Sequence, residues 1–345
     1  MSMLTDRIDL VIGIDTHKRT HTAAFVDRVG NVRGMLEIEA NAAGYRNLLR
    51  AAAAHAGRRV WAVEGTGSYG AGLTTALLAA SEHVVEVERP GRPEHRPSGK
   101  SDPIDAVRAA REILAREHQI EPRQRGNREA IRVLLATRSG AVVARTKALN
   151  HLHALVVTAP DELRARLSGT TTGELARRCA ASRVRADMTD EHRATVMALR
   201  ACARRAIACG REANELEAEL LRLVRECVPE LVDQPGVGPI TAAVIYLAWS
   251  HRGRIRNDAA FAALAGVAPL EASSGQTVRH RLNRGGNRQL SRALHTIVLS
   301  RMTFDPETKT YAERRRAEGK TPREIRRCLK RHVARRVFKL LEHAP

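Results

Sequence analysis

Asp15, Glu64, Asp102 and Asp105 are the residues of this chain best placed to do chemistry. Asp15 ends the apolar run Val11-Ile12-Gly13-Ile14, and Glu64 ends Val60-Trp61-Ala62-Val63. Both are expected to project from the carboxyl ends of strands. Asp102 and Asp105 open a helix three residues apart and share one of its faces. Carboxylates that converge repel one another unless a cation neutralises them. An all-oxygen donor set suits hard ions such as Mg²⁺ or Mn²⁺. Two such ions in one cleft can activate an attacking oxygen and stabilise the leaving one. Each acid also has an ordinary reading: Asp15 capping a turn, Glu64 solvated, Asp102 capping its helix. All four falling at strand and helix ends, in a basic chain, favours a metal site acting on a phosphodiester.

A second constellation lies near the carboxyl end. Ser273-Ser274-Gly275 precedes Arg279, Arg281, Arg284, Arg288 and Arg292, which fall in a stretch free of acids. A serine hydroxyl beside a flexible glycine could attack a phosphate that arginines hold. From spacing alone, a Ser-Ser-Gly stretch is more often simply a polar loop. Pro235-Gly236-Val237-Gly238 enters a helix and looks like a helix-hairpin-helix turn. There the amides of Gly236 and Gly238 could meet phosphate, or merely form a glycine turn. His17, His21, His151 and His153 lack partner ligands at metal-site spacing and are expected on the surface or in hydrogen bonds.

Lys plus Arg total 58 against 38 Asp plus Glu, a formal charge of +20 that calls for a polyanionic partner, DNA or RNA. Arginine supplies nearly all of that excess, and its planar fork suits bidentate phosphate contacts. Aromatic residues are 3% of the chain, too few for a platform of stacked bases. The five cysteines form no CxxC pair, which argues against structural zinc and for a reducing, cytoplasmic setting. No apolar run reaches the roughly 20 residues that span a bilayer.

Three segments must position these residues. Over residues 1–118, strands are expected at Leu10–Ile14, Thr22–Val26, Val32–Ile38, Val60–Val63 and Val84–Val87. Helices are expected at Ala42–Ala54, from Tyr69 to Ala80, and from Ser101 or Asp102 onward. A three-strand meander followed by alternating helix and strand is the order of a ribonuclease H-like α/β fold. Residues 119–228 carry helical periodicity: Ile131, Leu134, Leu135, Val142, Leu149, Leu152 and Val156, then Leu216, Leu220, Leu223, Val224 and Cys227. Two long helices around a polar break near Ser168–Gly173 are expected, as a hairpin or coiled coil for dimerisation or for spanning nucleic acid. Residues 229–345 read as mainly α, with helices at Ile240–Trp249 and Gln289–Ser300. A last basic helix carries an apolar face of Ile325, Leu329, Val333, Val337 and Leu340.

Taken together, these residues resemble the DEDD transposases of the insertion-sequence-110 family. The resemblance rests first on Gly13-Ile14-Asp15-Thr16-His17-Lys18, Val63-Glu64-Gly65-Thr66-Gly67-Ser68-Tyr69 and Gly99-Lys100-Ser101-Asp102-Pro103-Ile104-Asp105-Ala106. It continues in Pro235-Gly236-Val237-Gly238-Pro239, Leu264-Ala265-Gly266-Val267-Ala268-Pro269, Ser274-Gly275 and Gly286-Asn287-Arg288. It implies a RuvC-like domain whose tetrad, at Asp15, Glu64, Asp102 and Asp105, binds Mg²⁺. It also implies a carboxyl-terminal transposase domain with a nucleophilic serine. Ser274 matches best because it directly precedes Gly275, with Ser273 one residue away. The family joins donor and target DNA through a phosphoserine link. It selects sites with a non-coding RNA from the element, and it implies a homodimer or homotetramer.

Three rivals make distinct demands. A metal-dependent junction-resolving endonuclease shares the carboxylates but needs no serine. An actin-like sugar kinase or ATPase also begins with a strand, an acid and a Thr-rich turn, yet the later nucleotide loops are missing and the charge is wrong. A non-catalytic RNA-binding protein would not need the carboxylates.

Overall fold

The computed structural model describes residues 8–87, 102–116, 119–123, 125–271, 280–281, 283 and 285–343, with the backbone alone at Asp102 and His280. Packing divides the chain into a unit up to Gln124 and a second from Arg125 onward.

In the first unit, apolar runs bounded by turns form β1 (Leu10–Thr16), β2 (Thr20–Asp27) and β3 (Val32–Glu39), an antiparallel meander. Asn41 then caps α1 (Ala42–Ala53), its side chain accepting from the Gly44 amide at 2.9 Å. β4 (Arg59–Glu64) returns parallel to β1, and β5 (Val84–Val87) follows α2 (Ala71–Ala79) parallel to β4. The sheet order is therefore β3-β2-β1-β4-β5. Both faces are covered. Ile12, Ile14, Phe25, Trp61 and Val63 pack with Leu48 of α1 and Leu73 and Leu77 of α2. On the other face, Val11, Ala24, Val60, Ala62 and Val85 pack with Ala106, Ala110 and Ile113 of α3 (Asp102–Leu114). Central strands buried on both faces explain the near-continuous apolar runs of β1 and β4. Full burial of a side chain such as Trp61 contributes about 1.5–3 kcal/mol.

The second unit is mainly helical. α4 (Asn127–Val157) and α7 (Asp190–Cys227) pair along much of their length. Arg138 meets Glu217 at 2.8 Å and His151 meets Cys202 at 3.5 Å, so the pair is antiparallel. The expected Ile131, Leu135 and Leu152 of α4 and Leu220, Leu223 and Val224 of α7 are buried, but the middle of the seam departs from the sequence expectation. There Ala141 and Ala148, with Ala203, Ala206 and Ala213, are buried, whereas Val142 and Leu149 are only half-buried. Small side chains let the two backbones approach closely. The expected polar break is also wider. It holds α5 (Asp161–Leu167) and α6 (Thr172–Ala181), which close a small core with Leu152, Leu163, Leu175 and Leu199. Thr189 caps α7, its hydroxyl accepting from the His192 amide.

Beyond α7, Pro229 opens α8 (Pro229–Val232). There follow α9 (Pro239–Trp249), α10 (Asp258–Leu264), the short antiparallel pair β6 (Leu270–Glu271) and β7 (His280–Arg281), and α11 (Arg288–Phe304). α12 (Pro306–Ala317) and α13 (Pro322–His343) complete the unit. The almost wholly apolar α9 is central to this core, against Leu223, Phe261, Leu294, Ile297 and Val337. α12 was not expected. Its charged sequence hides it, and its start depends on Asp305, whose carboxylate accepts from the Thr308 amide at 3.0 Å. The last helix buries Ile325, Leu329, Val333 and Val337, but Leu341 rather than Leu340 completes its apolar face.

Candidate functional site

Strand parity sets the first site. Val11, Gly13 and Asp15 alternate onto the α3 side of β1, and Val60, Ala62 and Glu64 onto the same side of β4. The two strands run parallel with Ile14 opposite Val63, so Asp15 and Glu64 end neighbouring strands at the same level. α3 runs against β1. Its Arg111 donates to the Gly30 carbonyl at 3.0 and 3.1 Å, in the turn beside the amino end of β1. Its Ala106 lies on Gly13, where a Cβ would come within 2.1 Å of the Ala106 carbonyl oxygen. Gly13 is thus the point of closest approach between helix and sheet. Asp105 immediately precedes Ala106, so the first turn of α3 overhangs the carboxyl ends of β1 and β4. The structure therefore brings Asp15, Glu64 and Asp105 to one end of one face. Asp102 lies one helical turn beyond, about 4.5 Å along the axis, and its side chain is outside the described residues.

The acids already have polar neighbours. His17 Nε2 lies 3.2 Å from Asp15 Oδ2, and Arg108 donates to Asp105 at 3.3 Å. Asp15 is only 8% exposed. Among the described residues no three His, Cys, Asp or Glu side chains are placed to share one ion. The donors are nevertheless all oxygen on one sheet end, which fits a hard divalent cation rather than a soft one.

The loop after Glu64 is tied down at several points. Thr16 Oγ1 donates to the Glu64 carbonyl at 3.0 Å, and the Ser68 amide and hydroxyl both donate to the Gly65 carbonyl. Thr66 Oγ1 donates to Glu86 Oε2 at 2.7 Å, and the Arg123 guanidinium stands 3.5 Å from the other Glu86 oxygen. Glu86 is only 5% exposed and escaped the sequence reading. Its signal was a single acid inside the apolar strand Val84-Val85-Glu86-Val87. Of the two settings expected for His21, the surface one does not hold: the side chain is fully buried, and its ring stacks on Tyr45 at 5.9 Å. Burial holds its pKa below the ordinary value, against an opposing effect of the Thr20 backbone.

In the second unit, Gly236 lies in the turn before α9, packed against Ile297 and Ser300 of α11. The Gly238 amide donates to Thr241 Oγ1 at 2.9 Å, so a phosphate at this turn would have to displace that hydroxyl. Ile297 is nine residues along α11 from Arg288, about 13.5 Å, so the glycine turn and Arg288 do not share one spot. Arg281, Arg288 and Arg292 are exposed, the last two one turn apart on α11. Ser273, Ser274, Arg279 and Arg284 lie outside the described residues. The turns on either side of β6 and β7 pack closely together. Gly266 and Gly286 both have positive φ, and a Cβ on Gly286 would lie 2.5 Å from the Leu264 carbonyl oxygen. The Asn287 amide donates to that same carbonyl at 2.7 Å, while its side chain caps α11. The two turns flanking β6 and β7 therefore touch backbone to backbone.

Two family models match the chain. One, for the DEDD transposase of IS110 elements, covers residues 12–159, and the other, "Transposase IS116/IS110/IS902 family", covers residues 229–313. The chain belongs to the IS110 family of transposases. The 43.6 kDa protein of insertion element IS110 from Streptomyces coelicolor is 38% identical over 112 residues, 32% of this chain. That match spans only 28% of the relative's own length. The 42 kDa protein of insertion element IS900 from Mycobacterium paratuberculosis is 26% identical over 77% of this chain and 78% of its own. A mini-circle protein for IS117 from Streptomyces coelicolor is 24% identical over 99% and 95% of the two chains. In this IS110-family transposase the first matched region contains Asp15, Glu64, Asp102 and Asp105, and the second contains Gly236, Ser274 and Arg288. Among the described residues no helix is long and apolar enough to cross a membrane.

Proposed function

We propose that this transposase cuts and rejoins DNA through a phosphoserine link, with a RuvC-like carboxylate site in the first unit and Ser274 in the second. The observation that supports the reading is the placement of Asp15 and Glu64 at the carboxyl ends of neighbouring parallel strands, with the first turn of α3 on the same face. The β3-β2-β1-β4-β5 order, with α1 and α2 on one face and α3 on the other, supports a ribonuclease H-like fold for the unit that holds them. Asp15, Glu64, Asp102 and Asp105 would hold Mg²⁺, or Mn²⁺ in its place, which supplies charge neutralisation and Lewis acidity toward a phosphate. The helix pair α4–α7 would serve as the dimerisation segment of a homodimer or homotetramer.

In this mechanism the Ser274 oxygen attacks the DNA phosphorus and the bond to the 3′-oxygen breaks. The serine proton is lost and the departing 3′-oxygen gains one. The 3′-hydroxyl of another strand then attacks the phosphoserine phosphorus, restoring the serine and sealing the new junction. Exposed Arg281, Arg288 and Arg292, with Arg279 and Arg284, would hold phosphates and read no bases. A structured RNA from the element would select the sites by base pairing, which suits a protein whose cations face backbones.

The test is a denaturation-stable adduct. Purified protein, Mg²⁺, DNA carrying the element junction and the flanking RNA are incubated and digested, and the linked peptide is identified by mass spectrometry. A nucleotide on Ser274, absent in Asp15→Ala, is the expected result. Metal-dependent cleavage with no adduct would instead make water the nucleophile and the protein a junction-resolving endonuclease.

A further inference from the structure

The carboxyl-terminal helices enclose a second basic feature that shares only Arg281 with the arginines assigned to the serine site. A cleft of about 880 Å³ lies between the Gly266–Pro269 turn, α12 and α13. Its walls carry Arg281, Arg315, Lys320, Arg327, Lys330 and Arg331, with Glu324 as the acid among them. Part of that charge is spent inside the fold. Arg315 pairs with Glu318, and Arg331 meets Asp258 at 3.1 Å. Glu324 accepts from both the Thr321 amide and its hydroxyl, at 2.9 and 2.8 Å, in capping α13.

The remainder is only partly offset, by the field of Glu324 on Lys320 and Arg327. Among the described residues no carboxylate forms a close ion pair with Arg281, Arg327 or Lys330. Lys330 Nζ donates to a neutral group, the Ser291 hydroxyl, at 2.9 Å. It does so half-buried, and desolvation pulls its pKa below the ordinary lysine value. Like charges gathered in a partly dry cleft repel one another unless an anion enters. The volume exceeds what one phosphate needs and suits a stretch of nucleic-acid backbone.

We propose that this cleft seats the phosphodiester backbone of the DNA strand next to the scissile phosphate. The choice of DNA rests on the serine reading above. Val267, Ala268, Pro269 and Asn283, beside β6 and β7, form one wall. β6 ends at Glu271 and β7 begins at His280, and Ser274 falls between them in sequence. A strand lying along Lys320, Arg327 and Lys330 therefore passes beside the two short strands that flank Ser274. The cleft holds the strand; the serine acts on it.

The test uses the full chain, a fluorescein-labelled duplex carrying the element junction, and anisotropy over a series of salt concentrations. Each lost phosphate contact lowers the slope of log affinity against log salt by about 0.7–0.9. Lys320→Gln with Arg327→Gln should therefore lower it by roughly 1.4–1.8 and weaken binding about fifteen- to thirtyfold near 0.15 M salt. Lys320→Glu, a change at an exposed site, gives the same direction without touching the packed helix. Affinity for the labelled flanking RNA should stay unchanged. An unaltered DNA slope in both variants, or a loss confined to RNA, overturns the proposal. The serine reading is scored separately by the adduct in the unsubstituted protein. A lowered DNA slope without any adduct keeps the cleft and sinks the serine chemistry, and an adduct with an unaltered slope does the reverse.

Discussion

Replacing Gly13 by alanine should dismantle the carboxylate site without touching a carboxylate. The new methyl would lie 2.1 Å from the Ala106 carbonyl oxygen, 2.7 Å from the Ala110 amide nitrogen and 2.9 Å from the Ala110 Cβ. Two of these three atoms are backbone, so no rotamer change relieves them. Ordinary contact begins near 3.4 Å, and α3 must retreat by about 1.3 Å to restore it. Overpacking of this kind costs about 1–3 kcal/mol, which lowers the melting midpoint of a unit this size by several degrees. The larger effect falls on chemistry. α3 carries Asp102 and Asp105, whereas Asp15 and Glu64 stay with the sheet, so the retreat opens the site along its own axis. A misplacement of about 1 Å can reduce rate about a hundredfold. The assay pairs thermal denaturation with metal-dependent strand cleavage on the junction duplex. A folded Gly13→Ala protein with lost cleavage and unchanged RNA binding is expected. Full cleavage with an unshifted midpoint would mean that α3 does not position the acids.

Three further outcomes follow from single contacts. Glu86→Ala leaves buried Thr66 without its acceptor and should destabilise the first unit by about 1–3 kcal/mol, whereas Glu86→Gln keeps an acceptor and should lose less. Equal urea midpoints for the two variants would remove Glu86 from the anchoring of the Glu64 loop. His21 gives a pH signature. Its folded pKa lies below the ordinary 6.5, so the unfolded chain binds the extra proton and stability falls as pH drops through that value. The slope is at most about 1.4 kcal/mol per pH unit, and His21→Phe, which keeps the stack on Tyr45, should flatten it. Urea midpoints measured just above and about one unit below 6.5 decide this, and an unchanged pH slope in the variant assigns the effect elsewhere. Arg284→Ala and Arg288→Ala should each weaken DNA affinity and lower its salt slope by about 0.7–0.9. An unaltered slope takes that residue out of the interface.

Much of the first unit was legible because its signals are local. Period-two parity and bounded apolar runs mark β1 through β5, and an acid closing β1 and another closing β4 must share a face once the strands are parallel neighbours. The strand-end positions of Asp15 and Glu64 could therefore be read from spacing alone. Parity could not reveal Glu86 or the burial of His21, because both depend on which neighbours the fold supplies. In the helical unit, the large apolar residues Ile131, Leu135, Leu152, Leu220, Leu223 and Val224 are buried as expected, but the middle of α4 departs from the pattern. There Val142 and Leu149 carry the periodic signal, yet Ala141 and Ala148 carry the packing, since close helix approach selects for small volume rather than hydrophobicity. α12, with so little apolar surface of its own, exists because Asp305 caps it and α11 and α13 give it something to pack on.

The sequence by itself determined the acids, the arginines, the net charge and the strand ends, since these need only residue type and short-range periodicity. The tertiary structure alone decided that Gly13 presses α3 onto the sheet, that Gly266 and Gly286 join two distant turns, and which cations of the last helices form no close ion pair among the described residues. Those facts depend on atoms far apart in the chain meeting within a few ångströms, and no local pattern encodes such a meeting.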